Sequence, residues 1–313
     1  MKTKRASRLQ AGLLALTLLC LGGCGQEEAK SSSTGSSSSS QAPSFPVRIG
    51  DVDIPEAPRA VISLSPGTTE LLFAMGYQSR VMGIGDYCDY PPEAMEKLRC
   101  GSPLALNRKN IGLRPADLVV TAVPLMESDL IWFQQQEVPV LVLPRADSLA
   151  GIQQNYLKLA LAMEGQTDGK AAGERFWQSC QDKLDEAAAL GKEASVQRES
   201  PLKAILLRQM SYGMATGDTL EGSLLEQLGF VNDAAAHKDW LYPQAEVKLL
   251  EPDVIFCDLS ITPEEISKSV VYKPVAAVKN QMILPVELAV FERQSPRMFD
   301  ALLAMAHFAF GST

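Results

Sequence analysis

The chain has 313 residues, of which 46% are hydrophobic and 21% are charged, and its formal net charge at pH 7 is −8. This length can supply two α/β domains, each with a sizeable core. The acidic balance, with no run of Lys or Arg beyond the N-terminal segment, argues against nucleic acid as a partner.

The N-terminal segment has the pattern of an export signal. Basic residues among the first eight positions precede an apolar run, 11–21, that is too short to span a bilayer as a helix. The run ends in Leu-Gly-Gly-Cys24, which resembles the lipobox of bacterial lipoproteins. The resemblance implies that 1–23 is a lipoprotein signal peptide and that Cys24 becomes lipidated. An ordinary signal peptide with an incidental cysteine is the alternative.

A serine-rich stretch, 31–41, follows the predicted lipid anchor. Such a composition cannot bury enough apolar surface to fold. We therefore predict a disordered linker over 24–44, with the globular body beginning at residue 45. The lipoprotein resemblance places this body at the outer face of the cytoplasmic membrane, held there by lipid. That face is extracellular in a cell with one membrane and periplasmic otherwise.

The first half of the body begins with a strand, loop and helix unit. An apolar strand pattern over 60–64 leads into a loop at 65–70 and a helix over 71–75, which Gly76 ends. Two further buried strand patterns follow, at 118–120 and 138–143. Strands that alternate with helices predict a parallel sheet.

The second half repeats this order. A strand over 203–207 leads through a loop at 211–218 to a helix over 220–228. Strand patterns at 254–256 and 282–284 then correspond to the later strands of the first half. We therefore predict an α/β protein with two Rossmann-like lobes, each built on a parallel sheet.

A single helix is predicted between the two halves. Residues 169–190 are rich in Ala, Glu, Lys and Gln and contain no proline. The predicted division is an N-terminal lobe over 45–165, a rigid interlobe helix over 166–195 and a C-terminal lobe over 196–313. Two lobes joined in this way place a ligand cleft between them. The alternative is two lobes that pack together without a cleft.

Four cysteines remain after the signal peptide and the lipidated residue, in a compartment where disulfides can form. Cys88 and Cys100 flank one short helical segment, and the sequence leaves open whether they are bridged. Cys180 and Cys257 lie in a helical and a strand pattern, where buried free thiols are common. We expect no disulfide between the second pair.

The sequence argues against a metal site and against catalysis. Only His237 and His307 are present, and no CxxC spacing occurs. The chain contains no GxSxG, no HExxH and no phosphate-binding glycine loop. We therefore expect no enzyme activity, no metal site and no cofactor.

Three segments carry a resemblance to a known family. Arg59–Glu70, Gly85–Ala94 and Phe291–Arg297 resemble the solute-binding proteins of iron-chelate and cobalamin importers, in which a helix joins the lobes. The resemblance implies a receptor that captures a small-molecule chelate and delivers it to an ABC permease dimer with its ATPase. We expect this receptor to act as a monomer.

Within that family, the second and third segments look most like the cobalamin-binding branch. A corrinoid is a wide apolar ring edged with amides, so its receptor needs aromatic faces and a few polar groups. Tyr90 is the first candidate and Tyr242 the second. The other candidate ligand-binding residues are Tyr87, Tyr212, Trp240, Phe291, Ser65, Gly67 and Arg293.

The chain also departs from the family pattern. Residues 101–104 replace an expected tryptophan, and Ala289 stands where an acidic residue would meet a ring amide. The family docks on its permease through one glutamate on each lobe. Glu246 matches the second of these positions, whereas the first falls near Lys109, which reverses the charge.

The residues also permit other ligands and activities as alternatives. A haem or ferric-siderophore receptor is the second choice, because Tyr90 or Tyr212 can ligate haem iron and Arg293 or Arg297 can pair with carboxylates. A zinc or manganese receptor would need more histidines than the chain has. A surface-anchored enzyme ranks last, because the motifs of nucleophilic and metal-assisted catalysis are missing.

Overall fold

The computed structural model describes residues 44–198, 200–210 and 212–311. The predicted signal peptide, the lipidation site at Cys24 and all but the last residue of the predicted linker lie outside these described residues. These described residues form one compact unit. None of its described helices is long and apolar enough to cross a membrane.

The N-terminal lobe contains two hairpins and a five-stranded parallel sheet with the order β5-β4-β3-β8-β9. Its strands are β1 Val47–Ile49, β2 Val52–Ile54, β3 Val61–Ser63, β4 Val81–Ile84, β5 Leu98–Arg99, β6 Gly101–Ser102, β7 Ala105–Leu106, β8 Leu118–Thr121 and β9 Val140–Val142. Its helices are α1 Pro66–Ala74, α2 Arg108–Ile111 and α3 Glu127–Gln134, with a 3₁₀ turn at Pro92–Glu96. The long helical segment α4, Leu149–Arg198, leaves this lobe.

The C-terminal lobe contains a four-stranded parallel sheet with the order β11-β10-β12-β13. Its strands are β10 Lys203–Leu207, β11 Val231–Asn232, β12 Val254–Asp258 and β13 Ile283–Val286. Its helices are α5 Leu220–Gln227, α6 Pro263–Lys268, α7 Ala276–Lys279, α8 Ala289–Arg293 and α9 Arg297–Phe310, with a 3₁₀ turn at Val247–Leu249. The two parallel sheets and the long helical segment confirm the predicted α/β fold class.

Two predicted element boundaries were wrong. Helix α1 begins at Pro66, with Ser65 at its N-cap position, whereas the sequence predicted a loop as far as Glu70. Proline at the first helical position needs no N–H partner, so it starts this helix instead of delaying it. Strand β13 continues through Pro285, which is tolerated because β13 is an edge strand.

The long segment α4 is two helices, 149–164 and 166–198, that meet at Gly165. Gly165 has φ 84° and ψ −179°, a conformation open almost only to glycine. A Cβ atom placed on Gly169 would lie 2.5 Å from the Ala160 carbonyl oxygen, so the second helix folds back against the first. The second helix is roughly 50 Å long at 1.5 Å per residue.

Aromatic side chains connect the two helices of α4 to each other and to α9 of the C-terminal lobe. The Trp177 ring lies edge-on to Tyr156, with 5.8 Å between centroids, and to Phe299 of α9, at 5.6 Å. Helix α9 packs along α4. Buried residues of both lobes belong to one continuous cluster around these helices. The lobes therefore share a core behind the cleft, which resists hinge motion.

Replacing Gly165 by alanine is expected to lower the free energy of unfolding by about 3 kcal/mol. The new Cβ atom would force an unfavourable backbone conformation and would lie 2.3 Å from the Ser44 carbonyl oxygen. Gly50→Ala is the matched control, because Gly50 also has positive φ, 61°, but no atom within 4 Å of a Cβ. Urea unfolding should give a loss of about 1 kcal/mol for the control. Equal losses in the two variants would contradict this interpretation.

The cysteines correct one possibility raised by the sequence. All four cysteines of the described part are buried free thiols, so the bridge between Cys88 and Cys100 is not formed. The two sulfur atoms have different surroundings. The Thr69 hydroxyl lies 3.1 Å from Cys88 Sγ, whereas Cys100 Sγ lies 3.6 Å from the Leu98 carbonyl oxygen. Burial raises the pKa of the Cys100 thiol to about 11, which keeps it protonated and unreactive at neutral pH.

Candidate functional site

The order of the strands places a potential site between the lobes. In the N-terminal sheet, β4 lies on one side of β3 and β8 on the other, so the direction of strand addition reverses at this point. The C-terminal sheet has the same reversal between β10 and β12. Open parallel sheets bind ligands at such switch points, beyond the carboxyl ends of the strands. Ser65 follows β3, Ala122 follows β8 and Arg208 follows β10.

A cavity of about 350 Å³ opens at the N-terminal switch point. Both lobes line it, since α1 and α8 meet there. The lining residues are Ser65, Pro66, Gly67, Thr68, Leu71, Ala122, Val123, Leu143, Pro144, Arg145, Ile152, Asn155, Tyr156, Ala289, Glu292, Arg293 and Gln294. Most of these side chains are apolar or small, and the charged ones come from the ends of β9 and α8.

A second cavity of about 330 Å³ adjoins the first. Arg145 and Glu292 line both cavities, and Arg208, Glu221 and Trp240 complete the second one. We call the two cavities together the interlobe cleft. Its first part is mainly apolar, and its second part contains two arginines and two glutamates beside one indole ring.

The charged residues of the second cavity are paired with each other. Arg145 of the N-terminal lobe donates to Glu221 Oε1 of the C-terminal lobe at 2.7 Å, and Arg208 donates to Glu292 Oε1 at 2.6 Å. The Arg208 guanidinium also lies 5.4 Å from the centre of the Trp240 ring, within cation–π range. These four formal charges sum to zero.

A second set of ion pairs holds the lobes together next to the cleft. Glu70 of α1 is 3% exposed, and its carboxylate accepts hydrogen bonds only from the C-terminal lobe among the described residues. Arg293 donates at 2.7 Å, Ser295 at 2.6 Å and Arg297 at 3.4 Å. Gln294 adds two hydrogen bonds to the backbone of Ala146. We call the contacts made by Glu70 the interlobe clamp.

Asp89 extends the interlobe clamp towards solvent. Arg293 donates to its two carboxylate oxygens at 2.8 and 3.0 Å. These hydrogen bonds from Arg293 lower the pKa of Asp89 below its ordinary value, although burial alone would raise it. Burial alone would lower the pKa of Arg293, but hydrogen bonds to Asp89 and Glu70 raise it instead.

The pKa of Asp89 predicts a dependence of stability on pH. Because the folded-state pKa lies below the unfolded value, the contribution of Asp89 is present above about pH 4 and is lost as pH falls through the folded-state pKa. Urea midpoints between pH 6 and pH 2 should therefore fall more steeply for the wild type than for Asp89→Asn. The two curves should converge at the acidic end. Parallel curves would contradict the role of the Arg293 contact.

Four of the nine predicted ligand-binding residues border the interlobe cleft. Ser65, Gly67 and Arg293 line its first part, and Trp240 lines its second part. A Cβ atom on Gly67 would lie 2.2 Å from the Arg293 carbonyl oxygen, so this glycine allows the two lobes to approach. Arg293 is occupied by carboxylates of the protein.

Three predicted tyrosines do not line either cavity of the cleft in the described part of the chain. Tyr87, Tyr90 and Tyr212 are exposed, with relative accessibilities of 74%, 41% and 45%. The Tyr90 ring lies under the guanidinium of Arg297, 4.1 Å from its centre. This stacking fixes the Tyr90 ring beside the interlobe clamp.

Phe291 and Tyr242 are placed differently from the prediction. Phe291 is 1% exposed and belongs to the main core cluster, because it lies on the inner face of α8. Tyr242 is 8% exposed and packs edge-on against His237, with 4.3 Å between ring centroids. Both rings are therefore packing residues in this structure, and neither lines the cleft.

The predicted docking positions are both on the surface. Glu246 is half exposed, and one carboxylate oxygen lies 3.6 Å from His237 Nε2. Lys109 is exposed on α2. No group of three or more His, Cys, Asp or Glu in the described residues could hold a metal ion.

The sequence prediction missed the two arginines of the second cavity. Arg145 comes two residues after the end of the predicted strand at 138–143, and Arg208 comes directly after the strand at 203–207. The rule that parallel strands present functional residues beyond their carboxyl ends could have identified both. Glu221 carried no such signal, because it lies in a helical pattern among apolar residues.

Known proteins resemble this chain in sequence. No family model matches the chain. An uncharacterized ABC transporter substrate-binding lipoprotein of Bacillus subtilis is 24% identical over 320 residues, covering 99% of this chain and 98% of that protein. A vitamin B12-binding protein of Salmonella choleraesuis is 44% identical, but over 64 residues that cover 20% of this chain and 23% of that protein.

Solved structures of solute-binding proteins have the same fold. The haem-binding protein RhuT of Roseiflexus has a TM-score of 0.64 at 19% identity, covering 80% of this chain and 98% of that one. The vitamin B12-binding protein BtuF of Vibrio cholerae has a TM-score of 0.57 at 21% identity, covering 80% and 96%.

The chain has the fold of these solved periplasmic solute-binding proteins, in which a long helical segment joins two α/β lobes. Its full-length relative and its structural neighbours are named as binding proteins, not as enzymes.

Proposed function

We propose that the protein captures a chelate in the interlobe cleft and delivers it to an ABC importer. The observation that carries this proposal is the position of the cleft at the switch points of two parallel sheets, with residues of both lobes around it. A site built in this way surrounds a ligand without needing catalytic groups. The chelate is the transported cargo, and no resident cofactor is proposed.

We propose a corrinoid of the cobalamin type as this ligand. The short matches to vitamin B12-binding proteins support it, as does the mainly apolar lining of the first part of the cleft. A corrinoid offers a broad apolar surface for this part and polar amides for the charged second part. Tyr90 remains a proposed contact residue beside the cleft.

Haem or a ferric siderophore is the second candidate. Two arginines, Arg145 and Arg208, border the second cavity, and guanidinium groups pair with carboxylates or anionic chelators. The haem-binding structural neighbour supports this alternative. Both arginines already pair with glutamates, so an anionic ligand would have to displace them.

Membrane attachment and docking follow from the same proposal. Lipid on Cys24 would hold the receptor at the outer face of the cytoplasmic membrane, beside its permease. The exposed carboxylate of Glu246 is the proposed docking contact on the C-terminal lobe, where it would pair with a basic residue of the permease. The docking position on the N-terminal lobe falls near Lys109, whose charge is opposite to that of a glutamate, so the contact with the permease there would be of a different kind.

Isothermal titration of residues 43–313 with four ligands tests the proposed function. The ligands are cyanocobalamin, dicyanocobinamide, haemin and a ferric hydroxamate. Tight binding of the two corrinoids, with none of haemin or hydroxamate, is the expected result. If only haemin or the ferric hydroxamate binds, the proposed receptor function stands and the proposed corrinoid ligand is wrong. Failure of all four to bind would overturn the proposal.

A further inference from the structure

We propose that Glu221 selects chelates whose rim carries amide N–H donors over chelates whose rim carries carboxylates or esters. This inference rests on the proposed function and assigns the second part of the cleft to recognition of the ligand rim. It adds a specificity-determining residue that the sequence did not single out.

The first observation is an unpaired carboxylate oxygen. The Glu221 side chain is 2% exposed, and its Oε1 atom accepts from Arg145. Its Oε2 atom is buried and has no hydrogen-bond partner among the described residues. An unpaired buried carboxylate oxygen is costly, because the group has lost its hydration without gaining a donor. A donor supplied by a ligand would remove that cost.

The second observation is the position of this pair across the cleft. Arg145 follows β9 of the N-terminal lobe, whereas Glu221 lies in the first turn of α5 in the C-terminal lobe. Both residues border the second cavity. A ligand that enters between the lobes therefore meets the Arg145–Glu221 pair.

The charge of the surroundings decides which donor fits. The second cavity contains two guanidinium groups and two carboxylates, so a neutral ligand group leaves it balanced. A carboxylate would lie against Glu221 Oε2 and would have to compete with glutamates for both arginines. An ammonium group would instead face the guanidinium groups of Arg145 and Arg208. Like charges that lie side by side in a partly buried cavity repel each other strongly.

A primary amide satisfies both members of the pair. Its N–H group can donate to Glu221 Oε2, and its carbonyl oxygen can accept from Arg145. A guanidinium has five N–H donors, and Arg145 uses one of them, towards Glu221, in the described contacts. The edge of a corrinoid presents several such amides, so one of them would complete the hydrogen bonding of this part of the cleft.

The test compares three dicyano corrinoids that share one ring and differ at the rim. They are the heptaamide of cobyrinic acid, its heptamethyl ester and the free heptacarboxylic acid. Isothermal titration of residues 43–313 should show the amide binding about tenfold more tightly than the ester, and more tightly still than the acid. The ester accepts hydrogen bonds but donates none, so this comparison isolates the donor.

Glu221→Met should remove most of the preference for the amide over the ester. The same variant should bind the heptacarboxylic acid more tightly than the wild type does, because Arg145 loses its carboxylate partner. A merely structural role of Glu221 would weaken all three ligands alike. Glu226→Met is the matched control, because Glu226 is exposed on the same helix, and it should keep the wild-type order of affinities.

Equal binding of amide and ester by the wild type would overturn the inference and leave corrinoid capture standing. A preference for the amide that persists in Glu221→Met would also overturn it. Binding of none of the three corrinoids by the wild type would overturn the proposed ligand together with the inference. The comparison within the wild type needs no variant, so poor folding of Glu221→Met would not decide the outcome.

Discussion

Replacing Glu70 by glutamine is expected to lower the free energy of unfolding by about 3 kcal/mol. This value is at the lower end of the losses that follow removal of one partner of a buried ion pair. Glu70 is 3% exposed and accepts from Arg293, Ser295 and Arg297, which all lie in the other lobe. A neutral amide would remove the one buried negative charge that faces both arginines, leaving Arg293 with Asp89 and Arg297 with Glu287 as partners nearer the solvent. Urea unfolding of residues 43–313 measures the loss.

Glu96→Gln provides the control for Glu70→Gln. Glu96 is an exposed glutamate of the same lobe, and no ion pair is recorded for it among the described residues. Its replacement should change the free energy of unfolding by less than about 0.5 kcal/mol. If Glu70→Gln also changed the free energy of unfolding by less than about 0.5 kcal/mol, the interlobe clamp would contribute little to stability.

Replacing Val123 by tryptophan is expected to weaken corrinoid binding by about a hundredfold, or about 2.7 kcal/mol. Val123 follows β8 and lines the first part of the interlobe cleft, so an indole there would fill space that the ligand needs. Val123 is 46% exposed, and the substitution should therefore leave the urea midpoint close to that of the wild type. Isothermal titration with cyanocobalamin measures the affinity.

Val231→Trp is the corresponding control for the cleft. Val231 is 44% exposed on β11, an edge strand of the C-terminal sheet, and it does not line the interlobe cleft. This variant should bind the corrinoid as the wild type does. Equal weakening in both variants would contradict binding in the interlobe cleft. Wild-type affinity in Val123→Trp would contradict it as well.

The strands of the sheets could be predicted because they are short, apolar and separated by turn residues. The pattern at 203–207 coincides with β10, and the repetition of units in the two halves indicated two parallel sheets. The sequence placed the start of the interlobe helix at residue 166, but it did not reveal the positive φ of Gly165 or the helix that precedes it. Only the tertiary contact with the first residues of the body explains why the chain turns there.

The candidate site was predicted less well than the fold, since a sequence shows which residues follow a strand but not how they pair. Arg293 was predicted to meet a ligand, yet it binds Glu70 and Asp89. Phe291 was predicted to contact the ligand, but it points into the core. The buried charge of Glu221 becomes interpretable only when Arg145, 76 positions away in the chain, is seen beside it.

A crystal structure of residues 43–313 grown with cyanocobalamin would show where the ligand binds, because anomalous scattering locates the cobalt atom. We expect one cobalt peak in the interlobe cleft, between the Ser65 loop of the N-terminal lobe and Trp240 of the C-terminal lobe. A cobalt atom bound outside this cleft, or protein crystals with the cleft empty at saturating cyanocobalamin, would contradict this expectation.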